Sequence, residues 1–164
     1  MSTFNVKNPS ALSLLQSISF TLSGPGAVPS RQEAPHPHQA LMDPTNRFLL
    51  VPDLGADLVR VFDTTGGSLK VLDPLKLAPG SGPRHGVFVH GETDTYLYIV
   101  TELTNSLLGF KVTYDSNSLC FTQIYSSGTF GLNKPIPSGA AAAEIGVTVC
   151  LRALIHITVS RSQC

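Results

Sequence analysis

Short apolar runs separated by turn residues set the pattern of this chain. Arg47–Val51, Leu58–Phe62, Val87–Val89, Tyr96–Val100, Leu107–Val112 and Leu119–Ile124 are rich in β-branched and aromatic residues. Each is the length of a strand rather than a helix. Between them stand Asp43-Pro-Thr-Asn46, Asp53-Leu-Gly55, Thr65-Gly-Gly67, His90-Gly-Glu92 and Asp115-Ser-Asn117, all residues that favour tight turns. Only Ala140–Glu144 has helix-forming composition, and no helical period of any length is present. The pattern predicts an all-β chain.

The runs repeat. His38 matches His85 at an offset of 47, while Asp53-Leu54 matches Glu102-Leu103 and Leu58 matches Leu107 at 49. A two-residue insertion in the turn around His90–Thr95 accounts for the change. Each unit then reads as four strands in about 40–50 residues, the spacing of a β-propeller blade. The expected fold is a single partial β-propeller domain with about two complete four-stranded blades, 38–77 and 84–127. Pieces of two others flank them: a last strand of a preceding blade at 12–22 and an incomplete blade at 143–164. Two blades cannot close a ring, so open edges are expected to favour self-association.

Composition narrows the function. Eleven basic and eleven acidic residues cancel, and charged residues make up only 13% of the 164. Such a chain offers no field for a phosphate backbone, which argues against nucleic acid as a partner. Sheet faces meant to be covered explain the low charge. The three cysteines, Cys120, Cys150 and Cys164, fit neither a disulfide framework nor a metal motif, so a reduced, cytoplasmic setting without metal or cofactor is expected. Ser10–Leu22 lacks the basic flank of a secretory signal, and no run approaches the roughly 18 apolar residues of a membrane helix.

In an antiparallel meander the start of the first strand and the end of the second lie at one end of the sheet. His38, Arg84 and His85 begin first strands, and Asp53 and Glu102 end second strands, so all five are expected at one mouth of the central channel. Simpler roles stand beside this one. Asp53 and Glu102 can bond turn amides, Arg60 and Lys111 can be surface charges, and His36, His90 and His156 can be structural.

The stretches PHPHQALMDPTNRFLLVPDLGADLVRVF (35–62), GSGPRHGVF (80–88) and YLYIVTEL (96–103) resemble the lactonase seven-bladed β-propeller family. That family includes propeller-type 6-phosphogluconolactonase and fungal 3-carboxy-cis,cis-muconate cyclase, and the wording is closest to fungal members. The resemblance covers roughly 12–145. It implies a small carboxylated or phosphorylated lactone as substrate and His38, Arg84 and Glu102 as catalytic residues. His85, Asp53 and, by a looser match to the cyclases, Arg161 are candidate substrate-binding residues. His38 would act as general base, Arg84 would bind an anion or stabilise an oxyanion, and Glu102 would move a proton or orient the other two. Lactone hydrolysis, a muconate-type cycloisomerisation and an inactive fragment or binding scaffold all remain open. From Gly146 onward the sequence departs from the family pattern, and MSTFNVKNPS is unlike a family first blade. Truncation and little activity from residues 1–164 alone are therefore expected.

Overall fold

The structure is a computed structural model that describes residues 1–91, 93–148 and 154–161. Its strands are β1 (Ser2–Asn5), β2 (Ser13–Ser17), β3 (Leu41–Met42), β4 (Phe48–Asp53), β5 (Leu58–Asp63), β6 (Lys70–Lys76), β7 (Pro83–His90), β8 (Thr95–Thr101), β9 (Ser106–Tyr114), β10 (Leu119–Gly128), β11 (Ala140–Thr148) and β12 (Leu154–Arg161). They form two four-stranded antiparallel meanders, β3-β4-β5-β6 and β7-β8-β9-β10, flanked by the two-stranded sheets β1-β2 and β11-β12. This is a partial propeller with two blades and pieces of two others. Ala140–Glu144, the one stretch of helix-forming composition, lies in strand β11. Its alanines let the sheet approach closely, and Ala142 is fully buried against Val100, with Tyr98 and Leu107 beside it. Among the described residues no helix is long and apolar enough to cross a membrane.

The main core lies between the two blades. Phe48, Leu50, Val59 and Val61 of the first meet Leu97, Ile99, Phe110 and Val112 of the second. The far face of the first blade also packs. Phe20 stands 6.3 Å from Phe62, and the Gln16 amide brackets Leu69 through its main-chain N–H and C=O. At β4, β5 and β8 both faces are covered, so these strands carry near-continuous apolar runs instead of clean alternation.

That double burial shifted the repeat in the sequence by one residue. Asp53 pairs with Leu58 as Thr101 pairs with Ser106, and left-handed Asp57 stands where left-handed Asn105 stands, an offset of 48. In the first strands Leu41 pairs with Leu50 as Val87 pairs with Tyr98, an offset of 46. The two-residue insertion falls in the turn where it was expected. The phase differs, because a one-residue slip exchanges the two faces of a strand, and here both faces are apolar. Structurally, His38 is the counterpart of Arg84, Gln39 of His85, and Leu54 of Glu102.

Candidate active site

The site grows out of two equivalent turns. In the first blade the Leu54 N–H donates to His36 O; in the second the Glu102 N–H donates to Gly82 O at 2.8 Å. The segment Gly80–Gly82 is held from the first blade by Asp57. This left-handed turn residue accepts from the Gly80 and Gly82 N–H groups at 2.6 and 2.8 Å and from the Ser81 hydroxyl. Gly82 has φ +61°, and a Cβ there would stand 2.5 Å from Leu103 Cγ. Gly82→Ala is therefore expected to cost about 1–3 kcal/mol and to displace Glu102, which a urea titration and the Glu102 amide shift would register.

Glu102 is nearly buried, with its side chain 10% exposed, and both carboxylate oxygens meet guanidinium groups. Arg84 Nε lies 2.7 Å from Oε2, although its N–H has no aligned acceptor. Arg31 Nη2 donates to Oε1. Arg84 also donates through Nη1 to the Ala143 carbonyl of β11. His85 Nδ1 donates to the same carbonyl at 2.6 Å, with Glu144 Oε1 at 3.2 Å. This fixes the proton of the neutral ring on Nδ1. The His38 ring stands edge-on to His85 at 6.3 Å between centroids, within electrostatic reach of Arg84 and Glu102. His38, Arg84, Glu102 and His85 are thus brought together.

Partial burial, aided by the Arg84 charge, holds the His38 imidazole below its ordinary value of 6.5, against the opposing pull of Glu102. The ring is neutral at neutral pH and available as a base. In the folded state His38 takes up its proton at lower pH than in the unfolded chain, so its contribution to stability is complete above 6.5 and is lost as pH falls below that value. Proton NMR of the His38 ring is expected to show a midpoint below 6.5 that rises in Arg84→Ala and falls further in Glu102→Gln.

Asp53 does not join the group. It is fully buried on the face turned toward the N-terminal sheet, paired with Arg60 at 2.7 Å. It also accepts from the His36 and Ala56 N–H groups. The sequence-level placement at the mouth is corrected by the register, because its counterpart is Thr101 and not Glu102. Arg60 is likewise no surface charge. Its guanidinium is mostly covered and lies 3.7 Å above the Phe20 ring. Lys111 is exposed and pairs with Asp94 at 2.8 Å. His36 pairs with Glu33, and His90 meets the Thr95 hydroxyl. Arg161 ends β12 opposite Ala140, and its side chain lies outside the described residues.

Residues 1–154 match the sequence family described as lactonase, 7-bladed beta-propeller. The chain belongs to that lactonase family. It is 41% identical over 148 residues to a probable 6-phosphogluconolactonase of Arthroderma benhamiae, covering 88% of this chain and 36% of that protein. A 6-phosphogluconolactonase of Bacillus subtilis is 36% identical over 81 residues, covering 49% of this chain and 23% of its own length. The periplasmic gluconolactonase of Pseudomonas aeruginosa superposes with a TM-score of 0.73 at 23% identity, over 95% of this chain and 43% of that one. The matches thus span about a third or less of the length of the Arthroderma and Bacillus proteins.

In this lactonase-family chain several site residues were not singled out from the sequence. Arg31 comes from the loop before the first blade. Gln39 Oε1 accepts from the Gly86 N–H at 2.7 Å, so the residue after His38 ties the first blade to the second, as His85 ties the second to β11. Gln39 carried a signal: Pro37-His38-Gln39 parallels Pro83-Arg84-His85 once the strands are aligned at 46. Arg31 carried none, because no repeat covers its loop.

Proposed function

We propose that the chain supplies the lactone-binding and proton-transfer side of a 6-phosphogluconolactonase-like active site. The observation that carries this reading is the Arg84–Glu102 ion pair with the His38 ring within electrostatic reach of both. His38 takes a proton from the attacking water as the oxygen bonds to the lactone carbonyl carbon. Arg84 stabilises the negative charge that develops on the carbonyl oxygen. Collapse breaks the ring C–O bond, and the protonated His38 returns its proton to the leaving oxygen, giving the hydroxy acid. Both oxygens of Glu102 face guanidinium groups, so its role is to position Arg84 and Arg31 and not to carry the proton. Asp53 is read as structural. The reduced, cytoplasmic setting rests on the cysteine pattern alone.

Two blades and two sheet fragments provide one side of a channel mouth, and turnover needs the opposite side as well. The test sets residues 1–148 in place of the matching stretch of the Arthroderma benhamiae relative and follows hydrolysis of 6-phosphoglucono-δ-lactone by pH-stat. Hydrolysis well above the spontaneous rate, lost in His38→Gln, is the expected result. An active graft indifferent to His38→Gln would overturn the assignment.

A further inference from the structure

Arg31 belongs to a loop that is built rather than loose. Gln32 beside it is fully buried. Its Oε1 accepts from the Val28 N–H and its Nε2 donates to Leu54 O, each at 2.9 Å, so the loop is pinned to the turn of the first blade. The Gly26 N–H donates to Gln32 O, and a Cβ at Gly26 would collide with the Gln32 side chain. The pinned loop delivers Arg31 to the Glu102 carboxylate, opposite Arg84. Unlike Arg84, the Arg31 side chain remains 45% exposed, with only Nη2 engaged by Glu102. It borders a cleft of about 170 Å³ shared with Ser30, Glu33, His36, His38 and Leu54.

That cleft is small against the roughly 300–1,000 Å³ of a drug-sized pocket, so it suits one end of a substrate. Its charges decide which end. The Glu102 carboxylate is matched by Arg84, and the Glu33 carboxylate bonds His36 at 2.8 Å with its side chain 59% exposed, so its charge is screened by solvent. Among the described residues lining the cleft Arg31 is the one arginine or lysine; with Nη2 on Glu102 it keeps further donors, and a guanidinium presents a planar fork suited to a phosphate or carboxylate. The counterpart of Glu102 in the first blade is Leu54, which lines the same cleft and places no carboxylate there to repel an anion.

We propose that Arg31 is a specificity-determining residue that holds the permanent anionic substituent of the substrate, a phosphate, while Arg84 and His38 serve the lactone carbonyl. This rests on the active-site reading above. The test measures binding of 6-phosphogluconate, gluconate and inorganic phosphate to the 164-residue chain by calorimetry, with NMR to locate each ligand. The expected result is that 6-phosphogluconate binds at least about tenfold more tightly than gluconate, the scale of one charge-assisted hydrogen bond. Arg31→Ala lowers 6-phosphogluconate affinity more than gluconate affinity and so removes that preference, and Arg31→Lys, which keeps the charge beside Glu102, restores part of it. A preference that survives Arg31→Ala, or phosphate located away from the loop, would overturn this role and leave the active-site reading intact. Failure of either sugar acid to shift the His38 and Arg84 signals would overturn both.

Discussion

Arg84→Ala is expected to lower kcat/KM for lactone hydrolysis by about 10²–10³-fold when these blades are set in a complete propeller, the usual effect of removing one oxyanion donor. The loss has two sources with one sign. The carbonyl oxygen loses its cationic partner, and of the two guanidinium groups that meet the Glu102 carboxylate among the described residues Arg31 alone is left. The accompanying rise in the His38 midpoint shifts the acid limb of the rate profile to higher pH, which separates loss of this charge from general damage to the fold. The measurement is the pH dependence of kcat/KM for the two proteins. Coincident profiles and equal rates would remove Arg84 from the mechanism.

The largest expected effect on stability lies elsewhere, at Arg60. Asp53 is fully buried and Arg60 is its only side-chain cation among the described residues. Arg60→Ala leaves the carboxylate enclosed with the two backbone donors of His36 and Ala56 and no counter-charge. Removing one partner of a buried pair typically costs about 3–5 kcal/mol, and the lost contact with Phe20 acts in the same direction. Urea unfolding is expected to show a midpoint far below that of the parent chain. Lys111→Ala, which breaks an exposed pair, should barely move it. The double variant Asp53→Asn/Arg60→Ala should recover part of the loss, because no charge is then buried alone. Arg60 is therefore unsuitable as a neutral comparison for Arg84 in any activity series.

The blade architecture was legible because strand length, turn chemistry and the repeat all point the same way. Phe48–Asp53, Leu58–Asp63, Thr95–Thr101 and Ser106–Tyr114 fall where the apolar runs stand. The sheet at the N-terminus was half legible: Ser13–Ser17 lies within the predicted 12–22, while its partner Ser2–Asn5 carries too little apolar character to announce a strand. Strand ends and the repeat placed His38, Asp53, Arg84, His85 and Glu102 at one end of the sheets, and all but Asp53 lie together there. What failed was the phase of the repeat. A blade buried on both faces tolerates a one-residue slip without any apolar residue moving to water, so Asp53 aligned with Glu102 although it faces the opposite side of its sheet. Arg31 and Gln32 were invisible for a different reason. Their placement depends on side-chain to main-chain bonds between a loop and a turn 22 residues away, and such bonds leave no periodic trace.

The most direct measurement of the central claim, that His38, Arg84 and Glu102 form one lactone-acid binding site, is an NMR titration of the 164-residue chain with 6-phosphogluconate. The His38 and His85 ring signals and the Arg84 side-chain N–H are followed together. All three are predicted to shift along one saturating curve, and Arg84→Ala to abolish the response at both histidines. Shifts confined to other surfaces such as the β10 edge, or histidine shifts that persist unchanged in Arg84→Ala, would contradict it.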